Sequence, residues 1–237
     1  MDELLNPRNQ EWINEEERQA VYKTIYGRRD VRSFFKPDPI PSEVFARLLQ
    51  AAHHAGSVGY MQPWNFIVVE DRAVREKVKE AFLKERAEAA ELFDPEKKER
   101  YLSFKLEGIL EAPVNILVTS DPTRSGPQVL GRHSMPETDV YSTCCAIQNL
   151  WLAARAENIG VGWVSIIQRE DLRKIFNIPF HVTIVAYLCV GYVTHFPDKP
   201  DLEKLQWAQR NPLARHVYFE TWEGGPSENR RDFLTFL

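Results

Sequence analysis

No stretch of this chain approaches the roughly 20 consecutive apolar residues that a membrane-spanning helix requires. The opening residues Met1-Asp2-Glu3 are acidic where a secretory signal would be basic. Neither a membrane protein nor a secreted one is expected. An excess of positive charge is missing as well. Thirty Lys and Arg against 34 Asp and Glu leave a formal net charge of -4, which argues against general nucleic-acid binding while leaving room for a local anion site. Cysteine is scarce: Cys144, Cys145 and Cys189 are odd in number and lack metal-type spacing. They read as buried free thiols in apolar surroundings, which suits a reducing cytoplasm.

Several motifs are also absent. No Gly-x-Gly-x-x-Gly follows a strand, so a Rossmann dinucleotide site has no support. Gly126 to His133 imitates the glycine spacing of a P-loop but lacks its Lys-Ser/Thr, and reads as a plain loop. No Gly-x-Ser-x-Gly elbow is present. The adjacent His53 and His54 close a helix and read as surface or capping residues rather than as a metal pair.

What is present is ordinary globular material, 43% hydrophobic and 27% charged over 237 residues, with no repeat or low-complexity tract. Asn14 and Glu17 have capping-box spacing, so a helix is expected from there to about Gly27. Three prolines at 37–41 force an extended connection. Ser42 is expected to cap a second helix ending at His53-His54. Phe66–Val69 is an unbroken apolar run of the kind found in a sheet covered on both faces. A charged helical excursion follows, expected from Arg72 to about Phe93 and, after Asp94-Pro95, on to Leu110. Its length and composition suit a lid. Val114–Thr119 is a second strand. Ser134 and Glu137 predict another capped start, for an apolar helix over about 136–158 that belongs in a core or an interface. Gly160–Ile166 and Thr183–Val193 read as strands, with a short helix at Arg169–Phe176 between them. The last 40 or so residues have little periodicity and read as an arm. This alternation gives one α/β or α+β domain.

The chemistry concentrates in Tyr26-Gly27-Arg28-Arg29-Asp30-Val31-Arg32-Ser33-Phe34-Phe35. Three guanidiniums in five residues suit a phosphate or carboxylate, because each offers a fixed fork of donors. In an extended segment Arg28, Asp30 and Arg32 share one face. The same charges also read as a solvated basic turn. Ser57, Gln62, Asn65, Ser165 and Arg215 add polar groups at element ends. That inventory suits a phosphorylated flat heteroaromatic ring such as flavin mononucleotide (FMN). The structural alternatives stay open: Asp30 as a partner that orients Arg28 or Arg32, Ser165 as a strand-end hydroxyl bonded to backbone, Gln62 and Asn65 as loop caps.

The arginine motif, Ser57 with Gln62-Pro63-Trp64-Asn65-Phe66, Gly160-Val161-Gly162-Trp163 and the late Arg215 together resemble the nitroreductase-like flavoprotein family. Asp30, Ser134–Thr143, Gln148–Arg155 and Gly162–Ile166 make the chain similar, over about residues 15–225, to its aerobic 5,6-dimethylbenzimidazole synthase branch (the BluB family). The resemblance implies an α+β fold in which a mixed sheet is flanked by helices. It implies one flavin-binding domain over residues 1–237, with 72–110 as a helical lid and 200–237 embracing the partner of an intertwined homodimer.

The implied reaction consumes reduced FMN with molecular oxygen and yields 5,6-dimethylbenzimidazole, the lower ligand of cobalamin, and erythrose 4-phosphate. A separate flavin reductase would supply the reduced FMN. Arg28, Arg29, Arg32 and Arg215 would hold the phosphate, ribityl chain and ring edge, and Ser57, Gln62 and Asn65 the flavin. Asp30 would be the acid/base, and Ser165 would steer oxygen chemistry at the ring. The competing readings are an FMN-dependent NAD(P)H nitroreductase, a reductive dehalogenase, and a non-enzymatic FMN-storage dimer.

Overall fold

The β-branched runs of the sequence form a four-stranded sheet in the computed structural model, which describes residues 12–226 and Phe233. Its strands are β1 (Trp64–Val69), β2 (Val114–Ser120), β3 (Ile159–Val164) and β4 (Thr183–Tyr192). They lie in the order β1-β2-β4-β3 with every pairing antiparallel. One parallel contact is added outside β3, where Asp30 bridges Val161. The α+β class is as the sequence suggests, with the parallel part of the sheet reduced to that single pair.

Among the described residues seven α-helices occur, six of them before Asp198, α1 (Glu15–Gly27), α2 (Ser42–His53), α3 (Arg72–Ala90), α4 (Pro95–Ser103), α5 (Thr138–Ala156) and α6 (Arg169–Phe176), and α7 (Asp201–Lys204) after it. The core lies between the sheet and α2 and α5, and buries Leu48, Ala52, Ile116, Val118, Ile147, Leu150, Val161, Leu188 and Val190 among others. Each fully buried aliphatic side chain of this kind contributes about 1.5–3 kcal/mol. The chain divides after Asp198 into two compact units. The second holds α7 and a 3-10 turn at Leu213–His216, with Tyr218 against Trp222 at 5.0 Å.

The capping box of α1 forms as its spacing predicts: Asn14 Oδ1 accepts from Glu17 N at 3.0 Å and Glu17 Oε2 from Asn14 N at 2.9 Å. Two other capping expectations fail. Ser42 lies inside α2, whose N-cap is Pro41, without a side-chain bond. Ser134 does not cap α5, which starts two residues later than expected. Thr138 Oγ1 instead donates to Met135 O at 2.7 Å, and Arg132 pairs with Asp139, so the approach to α5 is held by turns. The helix after Asp94-Pro95 ends at Ser103 rather than Leu110. Its continuation is drawn instead around Glu107, a buried carboxylate that accepts from Ile109 N at 2.8 Å and pairs with Lys79 and Lys105. β1 is an edge strand rather than one covered on both faces, with Val68 42% exposed, whereas all seven residues of β2 are buried. The cysteines are free, but only Cys189 is buried. Cys144 is half-buried and Cys145 is exposed. No described helix is long and apolar enough to cross a membrane. The acidic start Met1–Glu3 and the tip of the C-terminal arm lie outside the described residues.

Candidate functional site

The arginine segment is not a solvated turn. It docks on the outer edge of β3: Val31 N donates to Val161 O at 3.0 Å, Trp163 N donates to Asp30 Oδ1 at 2.9 Å, and the Val31 side chain is fully buried. Two glycines make this seat. A Cβ on Gly162 would stand 2.1 Å from Val31 O, and one on Gly160 2.4 Å from the Val193 side chain and 3.3 Å from that of Val31. Gly160-Val161-Gly162 therefore serves as a flat face on which another stretch of backbone lies.

Each charged side chain of the segment takes a separate role. The Arg28 guanidinium sits over the Trp151 ring, 4.7 Å from its centroid. Trp151 Nε1 in turn donates to Arg29 O at 3.2 Å. Arg29 folds back into the protein, donating to Tyr26 O and Arg28 O at 2.8 Å and to Asp198 O at 2.5 Å. Arg32 pairs with Asp30 Oδ2. The pairing that would orient an arginine is thus real, and Asp30 is held at both oxygens. Arg29 Nε and Arg32 Nε are buried without an acceptor among the described residues. A buried donor left unmet costs about 1–3 kcal/mol, and its presence points to a missing acceptor. Three guanidiniums and one carboxylate leave this half-buried segment with a formal charge of +2 (3 − 1), which fits a dianion such as a phosphate ester.

Ser57, Gln62 and Asn65 gather at the opposite edge. Ser57 Oγ accepts from Gln62 N at 3.2 Å, and both Tyr60 and Gln62 adopt left-handed backbone, with φ of 52° and 47°. Such conformations cost roughly 1–3 kcal/mol and cluster at binding sites. Asn65 Nδ2 donates to Thr119 Oγ1 at 3.1 Å, while its Oδ1 accepts from Arg124. Between α2, β1 and the 124–125 loop opens a cavity of about 450 Å³, within the range of small-molecule sites. Leu49, Met61, Trp64 and Phe66 line it with apolar surface, and Gln50, His53, Gln62, Arg124 and Ser125 with polar groups. His53 Nδ1 accepts from Trp64 Nε1 at 3.1 Å, and no metal-ligating cluster occurs among the described residues.

The residues singled out from the sequence therefore form two groups, at opposite edges of the sheet. From β1 to the Asp30 bridge is four strand steps, roughly 19 Å at about 4.8 Å per step. Asn65 also faces Thr119 near one end of the sheet, whereas Asp30 meets Val161, whose partner is Val190 toward the other end. Ser165 lies exposed one residue past the end of β3, two residues from the Trp163 amide that holds Asp30. Arg215 is exposed in the 3-10 turn of the second unit, its carbonyl accepting from Tyr218 Oη at 3.2 Å. Arg124 was missed. It sits in a Pro/Gly/Ser-rich loop, and its contact with Asn65, 59 positions away, leaves no trace in spacing.

Three comparisons bear on this geometry. A 5,6-dimethylbenzimidazole synthase of Rhodospirillum rubrum is 43% identical over 185 residues, 78% of this chain and 87% of that protein. One from Rhodobacter capsulatus is 39% identical over 195 residues, 82% and 94% of the two chains. Among solved structures, an iodotyrosine deiodinase bound to FMN and 3-iodo-L-tyrosine superposes with a TM-score of 0.66 at 24% identity, over 85% of this chain and all of that one. The family model described as the nitroreductase family matches residues 25–192, from the start of the arginine segment to the end of β4. The chain belongs to the nitroreductase family.

Proposed function

We propose that this protein is an oxygen-dependent 5,6-dimethylbenzimidazole synthase that takes reduced FMN as its substrate. The observation that carries the reading is Asp30. A flavin enzyme that only recycles its cofactor gains nothing from a carboxylate set among its phosphate-binding arginines, where it offsets one of their charges. Fragmenting the flavin requires a group that accepts and returns protons beside the ribityl chain. Asp30 is built for that position, its Oδ1 fixed by the Trp163 amide and its Oδ2 by Arg32. Two relatives carrying the synthase name, at 43% and 39% identity over most of the chain, support the same reading.

When bound, reduced FMN supplies both the electrons for oxygen and the carbon atoms of the benzimidazole product. The chain's own residues do the rest. Arg28 and Arg32, with Arg29 bracing their backbone and Arg215 joining them, hold the phosphate end. Ser57, Gln62 and Asn65 hold the ring, Asp30 moves protons on the ribityl side, and Ser165 directs oxygen at the ring. The two groups stand at opposite edges of one sheet, so a second copy of the chain brings the amides of one protomer to the arginines of the other in a homodimer. The excursion at 72–110 acts as its lid, supported by the contact between Glu85 on α3 and Gln168, three residues past Ser165. The free thiols suit a cytoplasmic setting, and a separate reductase delivers the reduced flavin.

The test is to give purified protein excess reduced FMN and air, and to analyse the products by mass spectrometry. Dimethylbenzimidazole is expected. Quantitative recovery of FMN would overturn the synthase reading in favour of a conventional nitroreductase or dehalogenase. Asp30→Asn is expected to bind FMN within about fivefold of wild type and to yield no product. Equal turnover would remove Asp30 from the mechanism.

A further inference from the structure

The cavity beside β1 has an uneven charge. Its lining holds one permanent cation, Arg124, and no carboxylate. Arg124 forms no ion pair among the described residues, and its one recorded side-chain bond is to Asn65 Oδ1, a neutral acceptor. The nearest acid on its loop, Asp121, accepts from the hydroxyl and the amide of Thr123; the Arg124 charge helps to lower its carboxyl, but the two do not form an ion pair. Arg132, the other cation of the loop, is spent on Asp139 and on the carbonyls of Arg124 and Gly126. The chamber that carries Gln62 and adjoins Asn65 therefore presents a single guanidinium, with no carboxylate in its lining, to whatever enters it.

A flavin ring is neutral when oxidised and, at neutral pH, largely anionic when reduced, with the charge on N1 and the adjoining carbonyl. A fixed positive charge near that edge lowers the energy of the reduced form and leaves the oxidised form almost unaffected. We infer that Arg124 is a specificity-determining residue that makes this chamber prefer the reduced, anionic flavin ring over the oxidised one. The inference rests on the flavin reading above and deepens it. A protein that consumes reduced FMN delivered from solution has to discriminate against the oxidised FMN around it. Arg124 supplies that discrimination through charge, a different means from the hydrogen bonds of Gln62 and Asn65.

The experiment measures dissociation constants for oxidised FMN in air and for photoreduced FMN under anaerobic conditions, together with the midpoint potential of the bound flavin. Three proteins are compared: wild type, Arg124→Gln and Arg124→Lys. Thermal melting confirms that both variants fold. Arg124→Gln is expected to lose about tenfold in affinity for reduced FMN and less than twofold for oxidised FMN. The midpoint of the bound two-electron couple then falls by about 30 mV. Arg124→Lys keeps the charge without the fork and is expected to stay within threefold of the wild-type preference. Equal losses for both forms, or identical behaviour of the Gln and Lys variants, would overturn the inference. If wild type binds neither form, the flavin reading falls. If it binds both with the expected preference but makes no dimethylbenzimidazole, the synthase reading falls and the role of Arg124 stands.

Discussion

The two edges of the sheet hold functional groups by opposite means. At the β3 edge the arginine segment is fixed through backbone: an amide and a carbonyl of β3 pair with residues 30–31, two glycines leave room for the approach, and Val31 is fully buried. At the β1 edge Ser57 and Gln62 stand on a loop with left-handed residues and Asn65 at the start of β1, tied by side-chain bonds that involve Ser57, Thr119 and Arg124. One edge is rigid and costly to disturb, as a charged anchor has to be if it is to hold its orientation. The other is adjustable, as suits a surface that meets a flat ring.

Breaking the rigid edge should have the largest effect. Gly162→Ala places a Cβ against Val31 O, which cannot move without unseating the whole segment. A loss of about 3 kcal/mol in denaturant unfolding is expected, together with loss of FMN binding by titration. Trp151→Phe removes the indole donor to Arg29 O and weakens the ring under Arg28. It should cost about 1.5 kcal/mol and raise the FMN dissociation constant. At the adjustable edge, Gln62→Gly loses the amide but relieves a strained backbone, so stability should stay within about 1 kcal/mol of wild type while flavin affinity drops. If this last variant unfolds as readily as Gly162→Ala, the contrast between the edges is wrong.

Acid gives a control that touches neither edge. Burial pushes the Glu107 carboxyl up, but bonds from Lys105, Lys79 and the Ile109 amide outweigh it and leave it below its ordinary value. A depressed carboxyl stabilises the fold above its unfolded pKa, and that contribution is lost as pH falls through the folded value. Melting temperature should therefore be flat in this respect near neutrality and decline below about pH 4.5. Glu107→Gln should flatten that acid limb without altering FMN binding at neutral pH.

Local signals were legible in the sequence where one residue's chemistry decides the outcome. Asn14 with Glu17 marked the start of α1, and the apolar run at 114–119 marked β2. The motif around Asp30 and the Gln62-Pro63-Trp64-Asn65 stretch marked the two clusters of the candidate site. Ser134 with Glu137 carried an equally good local signal and misled, because the Arg132–Asp139 pair and the turns before Thr138 set where α5 begins. The order of strands was not legible. Nothing in spacing says that β4 inserts between β2 and β3, so nothing says that the two motifs end up at opposite edges. Arg29 illustrates the same limit. In the sequence it is one of three clustered guanidiniums with nothing to tell them apart, yet three carbonyls, one of them 169 positions away, accept from its fork.

The three thiols form a graded set of reporters along and behind α5. Cys145 is exposed, burial raises the half-buried Cys144, and burial raises the fully enclosed Cys189 much further. At neutral pH a maleimide reagent should modify Cys145 first and leave Cys189 untouched until the protein unfolds. Because Cys145 marks the exposed face of α5, a helix whose sequence suits a core or an interface, the labelling stoichiometry counts how many copies of that face are open to solvent.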